Sequence, residues 1–333
     1  MNVLYLTDPF RDYLADQIYY GLCKLLGFER VIDYPYKPIY HDPAVHEWFL
    51  PKVPGVPRQE DDILDLLCSR QIDLLVLSSP RRGGTTALEA LAGRVPLPPA
   101  VLIDGEDDSR IRRTLCRRWG FGLYFKREFA LAWRRPAGWA RLREFGLDGD
   151  LFRRTHPLPF SIILETTLPE TQGPRDIDVF FAARTSQGQR RKADAILRGI
   201  PGLGYVGGIF DSDARRFFPL EDGEYYRTLR RARIGVSVRG GGFDTLRYWE
   251  VAACGALLIS EEPDILIPDN FEHCRHAVFC RRDLGDLEDL VRYYASHGPE
   301  REAIAVAGHA HLLKSHTVER RAEYFLAVCR RTL

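Results

Sequence analysis

Short apolar runs alternate with stretches of helical period along the whole chain, and this alternation limits the available folds more than any other feature. Residues 3–6, Val-Leu-Tyr-Leu, form one run, and 12–26 follow with Leu14, Ile18, Leu22 and Leu25 at helical spacing. Gly27 stands where a C-terminal helix glycine belongs. Residues 33–57, rich in Pro, Tyr and His, read as a long ordered loop. The alternation resumes with a helix at 61–69, a strand at 72–77, a helix at 85–91, and strands at 101–103 and 123–125. A Pro-rich stretch over 157–174 reads as a linker. A second series follows, with strands at 178–181, 234–238 and 256–259. Its helices fall at 190–197, 225–231, 244–254, 284–294, 300–314 and 318–330.

Two such series predict an α/β protein built from two Rossmann-like domains facing a central cleft. The first domain is expected over 1–160 and the second over 175–315. The terminal helix, 316–333, is expected to pack back on the first domain. A length of 333 residues fits two domains of ordinary size. In open parallel sheets, ligands sit beyond the carboxyl ends of the strands. Chemistry is therefore expected in the strand-to-helix loops.

Charge narrows the partners. Lys plus Arg number 47 and Asp plus Glu 46, which excludes a generally basic nucleic-acid coat. Only six of the basic residues are Lys. Most of the Arg excess reads as composition, but a planar guanidinium at a strand end suits phosphate oxygens. No apolar run reaches the ~18–20 residues of a membrane span, and the N-terminus lacks the basic segment of a signal peptide. The seven Cys are scattered without a Cys-x-x-Cys pair, which predicts reduced thiols and a cytoplasmic protein. Cys274 and Cys280 lie close in sequence to His273 and His276, but their spacing matches no zinc pattern.

The most informative stretch is 236–259. A strand ends near Val238, three glycines follow (Gly240, Gly241, Gly242), and a helix opens at about Asp244 or Thr245. Glycines let a backbone approach a ligand closely, and free N–H groups at a helix start favour anions. Thr245 offers a hydroxyl to the same oxygens. Arg247 and Glu250 lie three apart on one helix face, so Arg247 is placed to reach phosphate and Glu250 to accept from ribose hydroxyls. Read blandly, the same residues are a flexible turn, an N-cap at Asp244 and a surface ion pair.

The segment Arg-Tyr-Trp-Glu-Val-Ala-Ala-Cys-Gly-Ala-Leu-Leu-Ile-Ser (247–260) resembles the signature of group 1-like glycosyltransferases of the spore-maturation-protein type. Pro263-Asp264, Phe271, Ile304-Ala305 with Gly308, and His316-Thr317 with Arg320-Arg321 extend the resemblance over about 176–331. It implies the two-domain GT-B fold and a nucleotide-sugar donor on the C-terminal domain. Glu250 matches the ribose-binding Glu, and Arg247 with the glycines matches the phosphate-facing loop. A related group pairs two Glu with seven residues between them. Here Gly242 and Leu258 stand at the partner positions.

The remaining candidates complete a transfer site. Arg184 ends the first strand of the second series, with Arg190 in the next helix, so both are expected to offset charge on a departing diphosphate. If the reaction inverts configuration, a base must deprotonate the acceptor hydroxyl. Asp8 and Glu106, each just beyond a strand, are the expected bases, ahead of Asp104, Asp107, His41 and His46. Tyr34, Tyr36, Tyr40 and Trp48 offer flat faces to a sugar acceptor, or else pack the core. No Asp-x-Asp stands at a strand end and no Gly-x-Gly-x-x-Gly opens the chain, which disfavours a metal-dependent single-domain transferase and a nicotinamide enzyme. The expected activity is metal-independent transfer from a nucleoside-diphosphate sugar, without a further cofactor. The acceptor is expected to be a glycan, a lipid-linked intermediate or a small molecule. The competing readings are a non-catalytic sugar-nucleotide-binding or assembly protein and another sugar-nucleotide enzyme such as an epimerase.

Overall fold

The computed structural model describes residues 1–45, 49–135, 139–167, 173–184, 188–210 and 224–333. His46 and Trp48, and part of the expected linker, lie outside the described residues. The chain divides into two compact units, one formed by 1–161, 265–267 and 318–333, the other by 162–264 and 268–317.

The first unit begins with β1 (Val3–Leu6), α1 (Tyr13–Leu26), β2 (Val31–Tyr34), α2 (Pro38–His41) and α3 (Glu60–Cys68). It continues through β3 (Leu74–Leu77), α4 (Arg82–Ala92), β4 (Ala100–Asp104), α5 (Arg113–Trp119) and β5 (Leu123–Lys126). α6 (Trp139–Phe145), α7 (Gly149–Arg154) and β6 (Thr155–Pro157) complete the run. The sheet is parallel in the order β2-β1-β3-β4-β5-β6.

The second unit contains α8 (Leu164–Thr167), β7 (Ile177–Arg184), α9 (Gly188–Gly199), β8 (Tyr205–Phe210), α10 (Glu224–Arg231) and β9 (Ala232–Ser237). After these come α11 (Leu246–Ala253), β10 (Leu257–Glu261), β11 (Val278–Cys280), α12 (Leu287–Ser296) and α13 (Gly298–Ser315). Its sheet is also parallel, in the order β11-β10-β9-β7-β8. The last helix, α14 (Val318–Thr332), packs on α1 in the first unit.

The seven interior strands are the seven that the apolar runs predict. β1 and β3 are buried at every residue, as a strand covered on both faces must be. All four edge strands, β2, β6, β8 and β11, escape the sequence pattern. They alternate or are only partly covered, so their runs look like loop. This corrects the reading of 33–57: the segment opens inside β2 and contains α2. A second correction concerns α11, which starts at Leu246. Asp244 does not cap it but accepts the indole N–H of Trp249 at 2.9 Å. Thr245 is the N-cap residue, without a side-chain cap bond.

Candidate functional site

The glycine run leaves β9 and enters α11. Gly240 makes room for protein rather than open space: a Cβ there would lie 2.5 Å from Arg190 Nη2. Arg190 itself is buried. It donates through Nε to the Arg239 carbonyl at 3.0 Å and through Nη1 to the Arg184 carbonyl at 2.9 Å. It therefore ties the carboxyl end of β7 to the glycine run. Arg184 is exposed at the last position of β7. Gly241 is exposed, and Gly242 accepts from the Gly240 N–H at 2.8 Å, which closes a tight turn. The Thr245 hydroxyl lies 3.2 Å from Ser237 Oγ at the end of β9.

Arg247 and Glu250 are not a surface pair, because both are buried. The Glu250 carboxylate accepts the phenol protons of Tyr225 at 2.8 Å and Tyr226 at 3.0 Å, both from α10. Burial pushes its carboxyl above the ordinary range, while the two phenols and Arg247 pull it back. Arg247 lies over the ring of Phe181, 5.1 Å from its centroid. Its Nε and Nη1 are buried and have no hydrogen-bond partner among the described residues. A buried guanidinium in that state costs several kcal/mol. The first turn of α11, where Arg247 sits, also carries N–H groups without intrahelical partners.

Sequence reasoning missed the pair of tyrosines and a carboxylate, Glu261. Glu261 ends β10 and is fully buried. It accepts Arg239 Nε at 2.7 Å and the Arg239 backbone N–H, while Arg239 Nη2 reaches Asp264 at 3.0 Å. Its place at a strand end was the available signal. The tyrosines gave none, since they lie 25 and 24 positions before Glu250.

In the first unit, Asp8 follows β1 and is buried. Its Oδ1 accepts the Phe10 N–H at 2.9 Å and its Oδ2 the Gly83 N–H at 3.1 Å. Glu106 is half-buried and takes Arg81 Nε at 2.6 Å on Oε1. Asp104 is fully buried beside Lys126 (3.0 Å) and the Tyr124 hydroxyl, and Asp107 pairs with Arg127. Nearby, a cavity of about 400 Å³ is lined by Pro80, Ile111, Arg112, Arg113, Thr114 and Leu115. His41 bridges Asp33 Oδ1 (3.0 Å) and the Val53 carbonyl (2.9 Å), and Tyr36 stacks on its ring at 4.8 Å. Tyr40 stacks on Tyr19 and donates to Asp16, and Tyr34 donates to Glu60. Tyr40 is buried in this packing, while Tyr34 and Tyr36 are only partly buried. Among the described residues, no group of three or more His, Cys, Asp or Glu is placed to hold a metal ion. No helix of the described residues is long and apolar enough to cross a membrane.

Residues 194–327 match a family described as glycosyl transferase-like. No curated protein matches the chain by sequence. Among solved structures, a glycosyltransferase from Rickettsia africae ESF-5 superposes with a TM-score of 0.62 at 9% identity, over 99% of this chain and 98% of that one. Anabaena Alr3699/HepE in complex with UDP and glucose gives 0.63 at 10%, over 99% and 100%. Sucrose-phosphate synthase from Thermosynechococcus elongatus gives 0.55 at 12%, over 99% and 98%. The chain therefore has the GT-B fold, with two Rossmann-like units and a glycosyl transferase-like domain over residues 194–327.

Proposed function

We propose that the chain transfers a sugar from a nucleoside diphosphate donor to an acceptor hydroxyl. The supporting observation is Arg247, a buried cation with two unsatisfied nitrogens at the first turn of the helix that follows the glycine run. A diphosphate supplies the missing acceptors and the compensating charge together. Glu250, one turn further along, takes the ribose hydroxyls on the lone pairs its tyrosines leave open. Charge developing on the leaving diphosphate is offset by guanidinium groups and helix N–H groups, so the proposed transfer uses no metal and no further cofactor. Arg190, bound to two strand-end carbonyls, holds the loop in shape. Arg184 meets the donor from β7.

On the acceptor side, Glu106 is the better base. Both Asp8 oxygens already accept backbone N–H groups, whereas Glu106 accepts the Arg81 side chain on Oε1, has no backbone donor among the described residues, and is partly exposed. The cavity by Pro80 and Arg112 is the proposed acceptor pocket, for a glycan, a lipid-linked intermediate or a small molecule. The segment 247–260 supports placing the chain with the spore-maturation-protein type of group 1-like transferases.

Uridine diphosphate is the first probe, because the Anabaena protein is bound to UDP. Calorimetry should detect it, and Arg247→Ala should weaken it about tenfold or more, the size of one lost charged hydrogen-bond partner. The same variant should weaken uridine much less. Equal losses for the two ligands would remove Arg247 from the phosphate site. Binding without turnover of any uridine, guanosine or thymidine diphosphate sugar would sink the transfer reading. Glu106→Gln should abolish turnover while leaving UDP affinity unchanged.

A further inference from the structure

The first unit carries a surface feature that the transfer reading does not use. α6 buries Phe145 against Trp133, ring to ring at 5.1 Å, and packs on the turn at Leu131–Arg134. Its other side is apolar and exposed. Trp139 is 80% exposed and Leu142 43%, and Leu147, just past the helix, is 96% exposed. Trp139 and Leu142 are three apart, so they share a face. Gly146, in the left-handed region at φ +62°, ends the helix by donating its N–H to the Leu142 carbonyl at 2.8 Å. Leu147 therefore projects from a fixed turn.

The apolar residues are set among cations. Residues 130–147 contain four Arg and a single acid, Glu144. Glu144 is turned inward, pairing with Arg143 and accepting the Ile111 N–H. Arg134 and Arg135 are exposed and have no ion-pair partner among the described residues. Arg141 is exposed as well, lying over Phe152 at 5.0 Å. A large indole and two leucines standing out beside unpaired guanidinium groups are costly in water. In a bilayer interface the same residues are matched: apolar tips enter the acyl boundary, Trp stays at the headgroups, and Arg meets lipid phosphate.

We propose that this face docks the chain on an anionic lipid surface. The apolar groups protrude instead of lining a groove, and the positive rim complements anionic headgroups. Contact here is peripheral, by the side chains of α6 together with Arg134, Arg135 and Leu147. The inference is independent of the donor site, which lies in the other unit.

Vesicle sedimentation tests it. The full chain should sediment with phosphatidylglycerol-containing vesicles at low salt and much less with phosphatidylcholine alone. Release should follow at about 0.5 M salt, where screening is short-ranged. Trp139→Ser with Leu147→Ser, and separately Arg134→Glu with Arg135→Glu, should each cut binding about fivefold or more. These side chains are exposed, so thermal melting should be unchanged. Absence of binding to anionic vesicles, or undiminished binding by both double variants, would overturn the proposal. A concentration-dependent dimer dispersed by Trp139→Ser in sedimentation velocity would assign the face to a second copy of the chain and overturn it too.

Discussion

Arg247 and Asp12 are buried charges that meet desolvation differently. Arg247 keeps two guanidinium nitrogens without a hydrogen-bond partner among the described residues, whereas Asp12 shifts its protonation. Asp12 caps α1 through Oδ1, which accepts the Ala15 N–H at 3.1 Å, while its Oδ2 has no hydrogen-bond partner among the described residues. Burial first, then the neighbouring Asp16, pushes its carboxyl from 3.8 to about 6. Between those values the folded state holds a proton that the unfolded state has lost. Stability therefore falls as pH rises from about 4 to about 6, and the cost persists above that window. Asn caps a helix as well as Asp. Asp12→Asn should thus stabilise the protein near pH 7.5 by up to about 3 kcal/mol, from about two pH units at 1.36 kcal/mol each. Near pH 3.5 the gain should vanish. Urea titrations at both pH values decide it, and an equal gain at both would remove Asp12 as the cause. That Arg247 and Glu250 lie on one helix face was legible in the sequence, because residues three apart on a helix share a face. The tyrosines on Glu250 and the two Arg247 nitrogens without a hydrogen-bond partner among the described residues were not, since both depend on residues brought together from distant positions.

Among the elements, packing distance is set by small residues at crossing points. α1 meets α14 through Gly21, where a Cβ would stand 2.6 Å from the Val318 carbonyl oxygen and 2.9 Å from Ala322 Cβ. α11 meets β9 through Gly235, where a Cβ would fall 2.5 Å from a Val251 methyl. α13 passes the His276 carbonyl at Gly308. Gly21→Ala must push a backbone carbonyl away, so it should destabilise by about 1–3 kcal/mol despite the higher helix propensity of Ala. A variant that melts at the wild-type temperature would show that α14 can shift without cost. The interior strands were readable because burial on both faces demands a continuous apolar run. The edge strands were not, because half their residues face away from the core and their pairing comes from a neighbour.

For the molecule as a whole, the two units divide the residues of interest. The glycine run, Arg247 and Glu250 all belong to the second unit, and Asp8 and Glu106 to the first. Hydrogen exchange with saturating UDP should therefore slow most in peptides covering the turn at 239–245 and the start of α11. β1 to β5 should change little. Protection confined to the first unit would contradict the donor assignment. A ligand present at about 100 times its dissociation constant should also stabilise the folded state by roughly 2.7 kcal/mol, visible as a higher melting temperature.

The amino-acid sequence by itself determined the α/β class, the interior strands, the break between two βα series, and the glycine–Arg–Glu segment. Each of these is written locally, in apolar runs, helical spacing or a few adjacent residues. The tertiary structure decided the edge strands, the tyrosine grip on Glu250, the Arg190 anchor beneath Gly240, the brace on Asp8 and the unsatisfied nitrogens of Arg247. Those depend on which distant groups come within hydrogen-bond distance of a side chain, and local patterns carry no record of that.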